Sequence, residues 1–172
     1  MSKTPTYCCD VFEFRAPLLD DVEWITRACQ DDEILRFTVV PRPYTTDHAR
    51  SFVEDWAGEV RAWAIIDGES SEGVGMIGVH HVVDGTASIG YWIAPWARRR
   101  GAAAAAVRFV CEELSTWSDV TVVTATIAST NVASQAVVRG VGFVESTSGT
   151  TERCPDGSGV VDAVVFERRL RP

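Results

Sequence analysis

Apolar and polar positions along the chain lay out a run of elements before any residue is assigned chemistry. Phe12 and Phe14 alternate with polar neighbours between Tyr7 and Ala16, a period of two that predicts a strand. Val22, Ile25 and Cys29 then recur at helical spacing behind Asp20 and Asp21, either of which can cap the helix. Pro41 and Pro43 mark a loop. After it, Thr46 is the expected cap of a second helix, with Ala49, Phe52, Val53 and Trp56 on one stripe and a stop near Gly58. From Arg61 the period returns to two, through RAWAIID, a polar turn at GESSEG, then GMIGVHHVV, the pair Asp84 and Gly85, and ASIGYWI. An Asp-Gly pair between β-rich runs is a hairpin signal, so these three strands form an antiparallel meander ended by Pro95.

Arg98 to Trp117 is the longest helical candidate. Ala103, Val107, Val110, Cys111, Leu114 and Trp117 step along one face while Arg108, Glu112 and Glu113 lie off it, so one side is built to pack on a sheet. A Val/Thr-rich strand (VTVVTATI) follows, then a short helix from Val132 to Arg139 stopped by Gly140. Two strands, GFVES and VVDAVVFERRL, close the chain around a polar turn at CPDG. The pattern therefore predicts an α/β (α+β) chain with seven strands. With no repeat, linker or break in composition, residues 1–172 read as one domain.

Composition narrows the function classes. A chain of 172 residues that is 46% hydrophobic can bury a core. Lys+Arg minus Asp+Glu is 16 minus 24, or −8, which disfavours a nucleic-acid partner and suits a cationic one. The five cysteines are odd in number and lack paired zinc spacing, and MSKTPTYCCD has no apolar run of signal-peptide length; a reduced, cytoplasmic protein without a metal site is expected. The longest uncharged stretch, Gly101 to Val107, is far too short to span a bilayer.

The informative stretch is GYWIAPWARRRGAAAAAVRF: a strand, a break at Pro95, three arginines, a glycine and small residues opening a long helix. The first amides of a helix lack internal partners and sit at the positive end of its dipole. Gly101, Ala102 and Ala103 would let a pyrophosphate approach those amides, while Arg98, Arg99 and Arg100 add charge. Three cations beside a positive helix end repel one another and the dipole unless an anion is bound. The spacing is neither that of a P-loop nor that of a dinucleotide fingerprint.

These residues resemble a family. RRRGAA is similar to the acyl-CoA pyrophosphate loop of the GNAT superfamily of N-acetyltransferases. Asn131 and Ser134 in TNVASQAVVRGVGF resemble the NxxS and GF segment of its ribosomal-protein N-terminal (alanine/serine) acetyltransferase subgroup, and PYTTDHARSFV resembles the helix before that subgroup's meander. The likeness runs from about Val11 to Leu170. It implies a mixed, mostly antiparallel seven-stranded sheet with helices on both faces and a splayed central strand pair. Acetyl-CoA would lie in the splay, with its pantetheine arm pairing to the backbone of Trp92, Ile93 and Ala94. Asn131 would hold the pantetheine side and Ser134 would lie near the thioester sulfur.

Transfer to an amine sets further requirements. An alkylamine is almost wholly protonated at neutral pH, so a base must remove a proton before attack. The resemblance implies Glu152, nine residues past Phe143. His80 and His81 lie one on each face of the central meander strand, and of these His81 is carried forward as the second candidate. The tyrosine that many family members use as an acid has no counterpart after Ser134, because Tyr7, Tyr44 and Tyr91 all precede it; the leaving thiolate then depends on Ser134. A backbone N–H near Ile93 or Ala94 would meet the oxyanion. Trp92 and Trp96 flank the cofactor strand and could wall an acceptor pocket, built with the loops Phe37 to Thr46 and Gly149 to Gly159. The expected partners are acyl-CoA, an amine acceptor and a second copy of the chain as a homodimer. The alternatives are a non-catalytic acyl-CoA-binding regulatory domain and a transferase of a larger acyl group such as succinyl.

Overall fold

A computed structural model gives the structure of residues 7–9, 11–147 and 152–171. Asp10 and residues 148–151, which include the start of the expected acceptor loop, lie outside the described residues. The elements run β1 (Tyr7–Cys9), β2 (Phe12–Arg15), α1 (Val22–Ala28), α2 (Asp32–Phe37), α3 (Thr46–Asp55), β3 (Arg61–Asp67), β4 (Gly73–Val83), β5 (Thr86–Ile93), α4 (Ala102–Ser115), β6 (Val122–Ala128), α5 (Val132–Gly140), β7 (Val144–Glu145), β8 (Arg153–Asp156) and β9 (Gly159–Arg169).

Among the described residues nine strands thus stand where the pattern predicts seven. The first expected strand is two short antiparallel ones, paired Cys9 with Phe12 around Val11, and β8 is a hairpin arm that the polar sequence CPDG hides. Helix α2 is also additional. Its six residues are too few for a hydrophobic stripe, but its start is coded: Asp31 accepts from the N–H groups of Glu33 and Ile34. The cap of α3 is Thr45 rather than Thr46, with the Thr45 hydroxyl accepting from the His48 N–H. Helix α4 begins after the arginines, at Ala102, because Gly101 has a positive φ of 84° and breaks the helical path.

The sheet order is β1-β2-β3-β4-β5-β6-β9-β7, with β8 on β9. All neighbours are antiparallel except β5 and β6. The meander turn has left-handed backbone at both Asp84 and Gly85, as a tight hairpin with the natural strand twist requires. Helices cover both faces. On one, Trp63, Ile65, Ile77, Val79 and Ile89 pack with Val107, Phe109, Val110 and Leu114 of α4 and Val138 of α5. On the other, Ala62, Ala64, Ile66 and Met76 pack with Ile25, Ile34, Ala49 and Val53. The alternation seen in sequence is this two-sided burial.

The parallel pairing of β5 and β6 is short. It joins Thr86 to Val122, Ala87 to Val123 and Ser88 to Thr124, and stops there. Strand β5 continues to Ile93 against β4, and β6 continues to Ala128 against β9. The two central strands therefore diverge from Ser88 onward, which is the expected splay.

Candidate functional site

The backbone exposed by the splay follows from strand geometry. In an antiparallel ladder, alternate residues turn their N–H and C=O toward the partner strand. The Ala94 N–H donates to the Val74 carbonyl at 2.8 Å, in the same register that pairs Trp92 with Met76 and Gly90 with Gly78. Gly90, Trp92 and Ala94 thus direct their backbone groups to β4, and Tyr91 and Ile93 direct theirs into the splay. Of the expected Trp92, Ile93 and Ala94, only Ile93 offers its backbone to a ligand there, joined by Tyr91. The Ala94 carbonyl is also taken, by the Ala97 N–H.

At the mouth of the splay lies the N-terminus of α4. No side chain caps it. The first helical bond runs from Ala105 N–H to the Gly101 carbonyl, which leaves the N–H groups of Ala102, Ala103 and Ala104 without a partner in the helix. A Cβ on Gly101 would meet nothing within 4 Å, so the approach is open. This end of a 14-residue helix is a ready anion seat.

The arginine trio differs from its expected form, in which three free cations await an anion. Arg98 is paired with Asp31, the cap of α2, and with Glu33 at 2.8 Å. Arg100 is paired with Asp67 at the end of β3. Protein carboxylates therefore relieve most of the repulsion. Arg99, held in left-handed backbone with φ 62° and exposed, has no carboxylate partner among the described residues. Asp67 is pulled down to about 2, chiefly by the N–H groups of Ser70 and Glu69, with Arg100 adding to them.

On the far side of the splay, Asn131 caps α5 by accepting from the Ser134 N–H at 3.1 Å. The Ser134 hydroxyl lies 2.7 Å from the hydroxyl of Tyr91 on β5, and the Tyr91 hydroxyl also donates to the Ser134 carbonyl at 3.3 Å. A tyrosine thus reaches Ser134 after all, from 43 residues earlier in the chain. Burial pushes the Tyr91 phenol up to about 12, against a smaller opposite effect of the Ser134 bond. It therefore stays protonated at neutral pH as an O–H donor. No local sequence signal announces this pair, because it exists only across the splay.

The remaining candidates are dispersed. Glu152 is exposed at the foot of β8, its carbonyl accepting from the Ala163 N–H. His81 is exposed opposite Ser88, at the closed end of the splay. The hairpin of β8 and β9 is tied to α2 and the following loop, since Arg36 pairs with Asp156 and Arg42 donates to the Gly157 carbonyl at 2.7 Å. The two expected acceptor segments are therefore joined. Trp92 packs on Trp24 with ring centres 5.9 Å apart, and the Trp96 indole donates to the Gly73 carbonyl; both contact the core beneath α1 and α3. Burial pushes the Cys29 thiol up to about 12 and the Cys111 thiol up to about 11, so neither is a ready nucleophile. Among the described residues no group of side chains has a metal-binding arrangement, and no helix is long and apolar enough to cross a membrane.

Comparison with known proteins follows the same lines. A family model described as an acetyltransferase (GNAT) domain matches residues 12–144. Sequence search among curated proteins finds no match. Solved structures share the fold at low identity. RimL, a ribosomal alpha-N-protein acetyltransferase in complex with coenzyme A, is 16% identical with a TM-score of 0.82, covering 96% of this chain and 98% of that one. RimJ from Mycobacterium smegmatis, in complex with a CoA disulfide, is 19% identical with a TM-score of 0.78, covering 95% and 86%. Spermidine N-acetyltransferase from Vibrio cholerae, in complex with CoA and spermine, is 16% identical with a TM-score of 0.76, covering 92% and 95%.

Proposed function

The chain belongs to the GNAT acetyltransferase family, and from its cleft we propose that it moves an acetyl group from acetyl-CoA to a primary amine by direct attack in a ternary complex. The observation that carries this reading is the three-residue pairing of β5 and β6, which ends at Ser88 and Thr124. It leaves a strand edge whose backbone groups need partners. An amide-bearing pantetheine arm supplies them at Tyr91 and Ile93. The bare N–H groups of Ala102 and Ala103, with Gly101 leaving room and Arg99 adding charge, suit the diphosphate of the same carrier.

Acetyl-CoA supplies a thioester, so the chain itself has to position, polarise and move protons. The Ile93 N–H, turned into the splay, would meet the negative charge that grows on the carbonyl oxygen, which leaves the Ile93 carbonyl and the Tyr91 backbone for the pantetheine arm. The Ser134 hydroxyl, backed by Tyr91, is a donor for the departing sulfur. As the C–N bond forms and the C–S bond breaks, one proton passes from the nitrogen to the sulfur. An earlier proton, from the ammonium, goes to a base on the acceptor side, for which Glu152 and His81 are the candidates from sequence. The acceptor is a protein N-terminus or a small cationic amine, in keeping with the net charge of −8 and with neighbours named for ribosomal proteins and spermidine.

Calorimetry with coenzyme A, followed by thiol release from acetyl-CoA and succinyl-CoA across Ser- and Ala-initiated peptides, spermidine and kanamycin, tests the proposal. Coenzyme A should bind, and at least one amine should release thiol from acetyl-CoA. Ser134→Ala and Glu152→Gln should bind acetyl-CoA normally and lose turnover. Full rates in both variants would overturn these two roles, and failure of coenzyme A to bind would overturn the whole assignment.

A further inference from the structure

Helix α2 is too short to keep its place by itself. So short a helix is marginal without tertiary support, and Ile34 is the one residue of α2 that is buried. Its two ends supply the hold. At the first, Arg98 pairs with the cap residue Asp31 and with Glu33 at 2.8 Å. At the second, Arg36 grips both carboxylate oxygens of Asp156 in β8, with Nη2 lying 3.1 Å from Oδ2. The backbone repeats this tie. The Gly157 N–H donates to the Arg36 carbonyl at 2.9 Å, an oxygen that a helix end leaves without a partner of its own.

Asp156 joins a third element as well. Its Oδ2 accepts from the Thr130 hydroxyl at 2.7 Å, and only 14% of its side chain is exposed. Arg36 first and Thr130 second hold the carboxyl below the usual carboxylate range, so it is ionised at neutral pH. Thr130 precedes Asn131, whose side chain accepts from the Ser134 N–H. One carboxylate thus fixes α2, the β8–β9 hairpin and the turn that presents Ser134. The two anchors of α2 also stand on opposite arms of the splay, Arg98 just past the end of β5 and Thr130 just past the end of β6. A helix of this length rises about 9 Å, close to the roughly 10 Å between two strands that flank one inserted extended chain. It is long enough to cross the gap.

We propose that α2 is a strap across the splay and that Asp156 is its positioning residue, setting the wall on which the acceptor amine lies against the thioester. This rests on the transferase reading above and adds the group that orders the acceptor side. Asp156 touches neither substrate and acts through Arg36 and Thr130. The contacts it orders are made alike before and during attack, so they govern amine binding rather than the chemical step.

Kinetics with whichever of spermidine, kanamycin or a Ser-initiated peptide is acetylated read the strap. Loss of the charge-assisted fork should raise the amine KM about tenfold in Asp156→Ala and in Arg36→Ala, while kcat at saturating amine falls about threefold or less. A merely structural role would lower kcat and coenzyme A affinity together and leave the amine KM in place. Asp156→Asn keeps an acceptor for Thr130 and loses the charge facing Arg36, so its KM should lie between those of Asp156→Ala and the wild type. Because both groups act in one junction, the double variant Arg36→Ala, Asp156→Ala should raise KM no more than Asp156→Ala alone. The strap is also read without turnover: in coenzyme A-loaded protein, amide exchange at Gly157 and Thr38 should quicken about tenfold in Asp156→Ala and keep the wild-type rate in β5 and β6. Wild-type KM in both single variants, additive losses in the double variant, or unchanged exchange at Gly157 would overturn the strap and leave the transferase reading intact. If exchange responds but no amine is acetylated, the transferase reading fails while the strap stands.

Discussion

At the scale of single residues, the decisive pair is Tyr91 and Ser134, whose hydroxyls lie 2.7 Å apart across the splay. A phenol raised to about 12 by burial remains a donor throughout the neutral range and fixes the serine hydroxyl rather than competing with it for protons. Tyr91→Phe should therefore lower kcat by about five- to tenfold, the worth of one neutral hydrogen bond, and leave coenzyme A affinity unchanged. Because both hydroxyls act in one chain, the double variant Tyr91→Phe, Ser134→Ala should be no slower than Ser134→Ala alone; additive losses would show that the two act separately. Ser134 itself was readable from the NxxS segment. Its partner was not, since a bond between a strand residue and a helix residue 43 positions apart leaves no periodic trace.

At the scale of elements, the start of α4 shows how a sequence motif divides its labour once folded. RRRGAA reads as one phosphate grip, yet two of its arginines hold the element in place: Arg98 ties it to the cap of α2 and Arg100 to the end of β3. Arg99, thrown outward by its left-handed backbone, is the one of the three without a carboxylate partner among the described residues. Calorimetry and thermal melting should separate them. Arg99→Ala should weaken coenzyme A binding about tenfold with little change in Tm, as the loss of one charge-assisted contact would. Arg98→Ala should lower Tm by several degrees and weaken coenzyme A less, because it strips Asp31 of its cation and unsettles the α2 cap. The reverse ranking would return the phosphate role to Arg98.

At the scale of the whole molecule, Asp67 joins the β3–β4 turn, through the Ser70 and Glu69 N–H groups, to the head of α4 through Arg100. Its carboxyl sits at about 2 in the fold, below the usual value of about 4 for an unfolded aspartate. The folded chain thus holds its proton less tightly than the unfolded one. This contribution is complete above about pH 4 and disappears as the pH falls toward 2. Thermal melts should show Tm falling across that interval, with a shallower fall in Asp67→Asn, which keeps the turn's acceptor and has no charge to titrate. An equal slope in both proteins would refute the link.

The amino-acid sequence by itself determined the meander, the long helix α4 and the short helix α5, the glycine that opens α4 and the family resemblance, because periodicity, caps and turns are local properties of neighbouring residues. Even the additional helix α2 carried its signal, in Asp31 with Asp32 and Glu33 behind it. Folding alone decided which backbone groups of β5 face the splay, which arginines are already paired, that Tyr91 meets Ser134, and that Arg36 and Thr130 meet on Asp156. Each of these depends on strand register, and a shift of a single residue would turn the same side chains to the opposite face.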